Sequence, residues 1–204
     1  MGSDDILKKR VEAINKIVEI SKNGRINVLI AQVDPDAIGA AIGLSYIIRS
    51  MGGKAVIWYC GGIGHPQNRS IVNRYDLVRV MKKITDYVPE EGDIFALVDS
   101  STIDDSRLGE LKGKIDPVIV IDHHRSGTAE SSGKMIWVED MGSTCTMIIE
   151  LINAMDLEIP DNLEYIPMLL AMGIYTDTKS LININDRDLA AYNAISRQVS
   201  PQEF

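Results

Sequence analysis

Apolar positions along the chain follow two rhythms. Residues 4–22 set Ile6, Val11, Ile14, Ile17, Val18 and Ile20 mostly along one helical face between charged residues, and Asn23-Gly24 suits the end of such a helix. Short, dense apolar runs come next. Asn27–Ala31, Lys54–Tyr59, Asp93–Val98 and Pro117–Ile121 each read as a buried strand, and Lys134–Val138 as a further strand at a sheet edge. Helical patterns lie between and after them. They are Ala37–Met51, closed by Gly52-Gly53, then Ser106–Lys112, Ser143–Met155, Leu163–Ile174 with Pro167 early in it, and a last helix over about 187–198 that starts at Asp186 or Asp188. Strands alternating with helices predict an α/β fold with a mainly parallel sheet. No repeat, low-complexity tract or linker divides the 204 residues, so one domain is expected.

Several of the apolar runs end abruptly in polar groups. Ile119–Arg125 reads Ile-Val-Ile-Asp-His-His-Arg and holds two of the three histidines of the chain. A strand of an α/β sheet that ends this way delivers its polar groups to the carboxyl edge, where such sheets bind ligands. Asn27–Ala31 runs into Gln32-Val-Asp34-Pro-Asp36-Ala-Ile-Gly39 at a strand-to-helix turn. One carboxylate there is an ordinary helix cap. Two that are separated by a single residue repel each other unless a cation lies between them. Asp93–Val98 ends in Asp99-Ser-Ser-Thr, and Leu163–Ile174 runs into Gly173-Ile-Tyr-Thr-Asp177-Thr178.

The loop Gly61-Gly-Ile-Gly64-His65-Pro-Gln-Asn68-Arg69 falls at the same edge. Its plain reading is a flexible turn, but it also brings His65, Asn68 and Arg69 there. Arg69, Arg74, Arg79, Lys82 and Lys83 make the next segment basic, as a solvated helix face or as a track for phosphates.

Carboxylates with a histidine and few thiols suit a hard-to-borderline divalent ion, Mn²⁺ or Mg²⁺. Asp34, Asp36, Asp99, His123 and Asp177 are the candidate ligands, and the alternative is a set of separate caps and turns. Asp99 is the candidate bridge between two ions, since its strand should be central; such pairs sit roughly 3.5–4 Å apart. His124, Arg125 and Arg69 then hold substrate phosphate oxygens, and Asp122 orients a histidine.

The net charge of −8 argues against a chain that coats nucleic acid through a broadly basic surface, though it leaves room for a local basic track. No apolar stretch approaches the ~20 residues of a membrane span, and the first residues, Met1-Gly-Ser-Asp-Asp, are not a secretory signal. Cys60 and Cys145 form no Cys-x-x-Cys pair, which points to reduced thiols in a cytoplasmic protein.

Asp34-x-Asp36-Ala-x-Gly, Val98-Asp99-Ser-Ser, Asp122-His-His and Gly173-Ile-Tyr-Thr-Asp177-Thr resemble, in order, the four motifs of the DHH phosphoesterases. The resemblance spans residues 27 to about 190. It implies a Rossmann-like three-layer domain, with helices flanking the sheet, and a Mn²⁺-dependent hydrolase site for one or two ions. By motif, Asp34 belongs to one ion and Asp36, His123 and Asp177 to the other, Asp99 bridges them, and His124 binds phosphate. The implied substrate is a nucleotide or a short single-stranded oligonucleotide. Alternatives are phosphoanhydride hydrolysis of pyrophosphate or polyphosphate, and a catalytically weak nucleotide-binding module. The sequence leaves the oligomeric state open, a homodimer included.

Two departures stand out. Many members carry a His four residues before the first Asp, where this chain has Ile30; RecJ-like members carry an Asp two residues before it, where this chain has Gln32. The first ion has therefore lost an expected ligand. Family phosphodiesterases also carry a second, Gly-rich substrate-binding domain, whereas this chain stops at Pro201-Gln-Glu-Phe204 and is expected to be a piece of a longer protein.

Overall fold

The computed structural model describes residues 3–20, 24–104, 106–124 and 133–199. Five strands are the short apolar runs: β1 (Ile26–Ile30), β2 (Ala55–Tyr59), β4 (Ile94–Val98), β5 (Ile119–Asp122) and β6 (Met135–Val138), with a three-residue β3 (Met81–Lys83) between β2 and β4. All pair in parallel in the order β3-β2-β1-β4-β5-β6. Val28 of β1 lies level with Ile57 of β2 and Ala96 of β4. The chain builds outward from β1 to β3, then returns to start again at β4 on the other side of β1. Connections at this reversal leave a crevice beyond the carboxyl ends of β1 and β4.

Among the described residues six α-helices surround the sheet: α1 (Ser3–Ile20), α2 (Pro35–Ser50), α3 (Pro66–Arg74), α4 (Thr144–Ala154), α5 (Tyr165–Asp177) and α6 (Asp186–Ser196). The pleat divides the core. Val28 and Ile30 face the larger cluster, to which all six helices contribute, through residues such as Ile17, Ile38, Ile71, Ile148, Leu169 and Ile195. Leu29 faces the smaller one with Trp58, Leu97 and Val120, capped by Leu108 and Ile115. The polar Asn27 is fully buried in β1 and is satisfied: it accepts from Trp58 Nε1 at 2.8 Å and donates to the Ile94 carbonyl at 3.2 Å. Among the described residues no helix is long and apolar enough to cross a membrane.

Three segments depart from the sequence expectation. The basic stretch after Arg69 is not one solvated helix face; α3 ends at Arg74 and β3 follows, pairing with β2 at the sheet edge. With two exposed lysines in three residues, β3 has no apolar alternation to betray it, and lysine is a common edge-strand residue. The helix expected over Ser106–Lys112 is two 3₁₀ turns broken at Gly109, whose φ is 59°. Finally, α5 carries on through Asp177, so this Asp ends the helix instead of following it. Pro167 is tolerated because it falls in the first turn, where N–H groups lack helical partners. Asn23 lies outside the described residues, as do Arg125 and Pro201–Phe204.

α2, α4 and α5 approach so closely that side chains are excluded between them. A Cβ on Gly39 would lie 2.6 Å from Cys145 Sγ and 2.7 Å from the Leu169 carbonyl oxygen. The second contact is backbone and cannot swing aside. Gly39→Ala is therefore expected to lower stability by about 1–3 kcal/mol, as overpacking does. Urea unfolding with an unchanged m-value is the check; a stability equal to that of the parent chain would show that the helices can separate freely.

A candidate metal centre at the carboxyl edge of the sheet

Asp36 occupies the first turn of α2 and is fully buried. Its Oδ1 accepts from the Ser143 hydroxyl and, at 2.9 Å, from the Cys145 N–H; its Oδ2 accepts from the Thr144 N–H at 2.8 Å. These are the opening groups of α4, where N–H groups without helical partners and the helix dipole favour negative charge. Ser143 is itself the N-cap of α4.

Asp99 follows β4 with a φ of 54°, in the left-handed region. Its N–H donates to the Ile121 carbonyl at 2.9 Å, and its Oδ1 accepts from the Thr144 hydroxyl at 3.1 Å. Burial pushes its carboxyl up to about 7; the His123 contact works against this, while the charges of Asp36 and Asp34 add to it.

His123 lies at the centre. Its Nδ1 is 3.1 Å from the Met141 carbonyl, which accepts only, so in the neutral ring Nδ1 carries the hydrogen. Nε2 then turns a lone pair toward Asp177 Oδ2 at 3.2 Å, Asp99 Oδ1 at 3.3 Å and Asp36 Oδ2 at 3.7 Å. These are ion-pair distances, and the buried Nε2 has no hydrogen-bond partner among the described residues. A lone pair facing three carboxylates is repulsive unless a proton or a metal ion lies between them. Without metal the proton serves: burial opposes the charge on His123, but Asp177, Asp99 and Asp36 outweigh it and raise the ring to about 11. Asp36, His123 and Asp177 form one metal-compatible triad, and Asp99, His123 and His124 another. Oxygen and imidazole donors fit a Mn²⁺- or Mg²⁺-like ion.

His124 is held from below. The buried Asp122 lies 2.7 Å from its Nδ1 and accepts its N–H at 3.2 Å, while most of the ring faces solvent. Asp34 stands apart. Its Oδ1 caps α2 by accepting from the Ala37 N–H at 3.0 Å, and its Oδ2 accepts from Gln32 Nε2 at 3.3 Å. It belongs to neither triad. Burial raises its carboxyl, the Ala37 N–H opposes this, and the charges of Asp36 and Asp177 add to it.

The loop residues serve as braces. His65 caps α3, accepting from the Gln67 N–H. The buried Asn68 donates to the Val33 carbonyl at 2.6 Å and so fixes the turn between β1 and α2. Arg69 donates to the Ile63 and Gly64 carbonyls. Sequence reasoning missed Ser143, Thr144 and Cys145 as holders of Asp36 and Asp99. Their signal was a Ser-Thr helix start, which reads as a cap alone.

The family model described as the DHH family, N-terminal domain, matches residues 26–174. An uncharacterised protein of Methanocaldococcus jannaschii is 27% identical over 172 residues, which make up 84% of this chain and 34% of that protein. The chain thus spans about a third of that relative's length. Among solved structures, a family II inorganic pyrophosphatase candidate from Methanococcus jannaschii superposes with a TM-score of 0.63 at 19% identity, over 85% of this chain and 54% of that one. An exopolyphosphatase-related protein from Bacteroides fragilis gives 0.60 at 16%, over 92% and 60%. CDC45 from Entamoeba histolytica gives 0.52 at 16%, over 94% and 36%. At these identities the structures share the fold.

Because a proton takes the cation's place at His123, metal must displace it. Mn²⁺ binding near neutral pH is expected to release about one proton per ion, measured by calorimetry in buffers of different ionisation enthalpy. Affinity should rise with pH, since both His123 and Asp99 hold their protons more tightly than usual. The sign for stability is opposite. In the metal-free chain the His123 contribution is complete below its ordinary value of 6.5 and is lost as pH rises through about 11. Metal affinity that stays flat between about pH 6 and 9 would contradict this account.

Proposed function

The chain belongs to the DHH family, and from that premise we propose that it is a divalent-metal-dependent phosphoesterase acting on nucleotide or short-oligonucleotide phosphodiesters. The observation that carries this reading is the buried His123 Nε2, on which the carboxylates of Asp36, Asp99 and Asp177 converge at 3.7, 3.3 and 3.2 Å. These four residues would hold the ion, Mn²⁺ foremost and Mg²⁺ next. When bound, a divalent ion acidifies a water and offsets the charge that builds up on a phosphoryl group.

The chain's own groups do the rest. Met141 fixes the tautomer of His123, and the start of α4 fixes Asp36 and Asp99, so the donors need little rearrangement. His124, tethered by Asp122 and open to solvent, is placed to hold a substrate phosphate oxygen. Carboxylates on every side would repel a phosphate, so turnover depends on the ion.

A second reading is hydrolysis of a phosphoanhydride, pyrophosphate or polyphosphate. It is supported by the fold shared with the family II inorganic pyrophosphatase candidate and the exopolyphosphatase-related protein. The same ligands would serve, because both reactions displace an oxygen at phosphorus.

Mn²⁺-supplemented hydrolysis of a dinucleotide, phosphoadenosine phosphate, a cyclic dinucleotide, single-stranded DNA and pyrophosphate separates the two. Turnover of an ester substrate is expected, falling to background in Asp99→Ala and His123→Ala. Pyrophosphate turnover alone would transfer the assignment to the second reading. Nucleotide binding with no turnover of any substrate would make the chain a binding module, and ester hydrolysis that survives both substitutions would refute the proposed site.

A further inference from the structure

We propose that a cavity on the side of α5 turned away from Asp36 receives the base of a nucleotide whose phosphate lies at the metal centre, so that the substrate straddles the carboxyl end of this helix. The inference rests on the phosphoesterase reading and deepens it, because it gives the site a means to prefer nucleotides over pyrophosphate.

α5 acts as a partition. Gly173 packs against Asp36 and Cys145, and Asp177 faces His123. Tyr175 is two residues from each of them, so a helix with about 3.6 residues per turn points it the opposite way. There Met168, Met172, Tyr175 and Thr176, with Gln67 of α3 and Tyr192 of α6, line a cavity of about 350 Å³. That volume falls within the roughly 300–1,000 Å³ of small-molecule sites. Cavity and centre meet at the end of α5, where Thr176 and Asp177 are chain neighbours. Gln67 reaches the same place from α3, since the next residue, Asn68, binds the Val33 carbonyl just ahead of Asp34.

The lining suits a flat, uncharged ring. Tyr175 and Tyr192 bring two aromatic side chains, and these are close neighbours: burial, and then the Tyr175 phenol, push the Tyr192 hydroxyl up. Two methionine side chains add soft, polarisable surface that packs well on aromatic rings. The Gln67 side-chain amide makes no hydrogen bond among the described residues. It offers a donor and an acceptor side by side, the pair that the edge of a base requires. The turn that follows α5 sets the two tyrosines together. Lys179, Ser180 and Leu181 all have φ in the left-handed region, a costly run for residues other than glycine. Thr178 clamps it, donating to the Ile174 carbonyl at 2.6 Å and accepting the Leu181 N–H at 3.2 Å, while the Ser180 N–H holds the Tyr175 carbonyl at 2.8 Å. Strain of this kind collects at ligand sites. A base is also what an acidic chain can hold most readily. It is uncharged, so the net charge of −8 does not oppose it as it opposes a phosphate.

Calorimetry on the Mn²⁺-loaded chain tests this with adenosine monophosphate and with ribose 5-phosphate, which has the sugar and phosphate without the base. Adenosine monophosphate is expected to bind about 10-fold more tightly, the worth of one base on an aromatic ring. Tyr175→Ala should bring its affinity down to that of ribose 5-phosphate, and Tyr175→Phe should keep the difference. Tyr175 is 45% exposed, so thermal unfolding of both variants should match the parent chain. Equal affinities for the two ligands in the parent chain, or a difference that survives Tyr175→Ala, would overturn the base site. A difference lost in Tyr175→Phe as well would overturn the ring as its source. A Tyr175-dependent preference in a chain that hydrolyses no ester would keep the base site and remove the phosphoesterase reading.

Discussion

Everything at the carboxyl edge depends on how Asp36 is buried. An isolated carboxylate removed from water is severely penalised, and a helix start buried without acceptors leaves N–H groups unsatisfied. Asp36 and the start of α4 resolve both problems together, through the Ser143 hydroxyl and the N–H groups of Thr144 and Cys145. Neither partner is tolerable alone at that depth, so α2 and α4 are locked in position as well as in contact. Thr144 extends the lock sideways to Asp99. Two carboxylates from different strand ends are thereby referred to one helix terminus.

The close packing of α2, α4 and α5 follows from this lock. For Asp36 to reach the N–H groups of α4, the helices must approach to backbone distance. Gly39 and Gly173 permit it, since a Cβ at Gly173 would meet Cys145 Sγ at 2.4 Å and the Cα of Asp36 at 3.0 Å. α4 is also tied to α6. The fully buried Asp188 accepts from the Thr146 hydroxyl at 2.7 Å and completes the capping box of Asn185. Arg187 beside it forks onto Glu150 and reaches Glu139. The donors that converge on His123 are thus carried by elements whose relative positions are fixed by buried polar contacts, as a metal centre needs for its first ligands to stay aligned.

Much of this was legible because parallel strands put their ends together. The runs ending at Ile30, Val98 and Ile121 announce buried strands, and the polar residues after them then have to share an edge. That logic brought Asp36, Asp99, His123 and His124 to one edge of the sheet without any distance. It could not separate Asp34 from Asp36. Both lie on one turn, separated only by Pro35, and what distinguishes them is a helix start more than a hundred residues later in the chain. Similarly, His65, Asn68 and Arg69 carry the chemistry of ligands in the sequence, but their observed hydrogen bonds go to the backbone of their own loop and of the β1–α2 turn. Loop side chains have no periodicity from which a direction could be read. β3 escaped for a related reason: of its three residues only Met81 is apolar and buried, so no alternation marks the strand.

Under the proposed function an acidic chain would have to accept phosphates, which is an electrostatic contradiction, and the carboxylate cluster is where it would be resolved. The charge of −8 is unfavourable to any anion at long range. Burial sharpens the problem locally, because carboxylates in low dielectric repel each other more strongly than in water. Burial first, and then the charges of Asp36 and Asp34, raise Asp99, while Asp177, Asp99 and Asp36 outweigh burial and raise His123, so the cluster takes up a proton when no metal is present. The same stored repulsion would drive metal binding, since a dication relieves several contacts at once where a proton relieves them only in part. Under the proposed function, a site built this way would stay closed to phosphate until it is loaded. Substrate binding would then be conditional on metal, and such an ordering needs no moving part: it follows from carboxylates held too close together to remain without a cation.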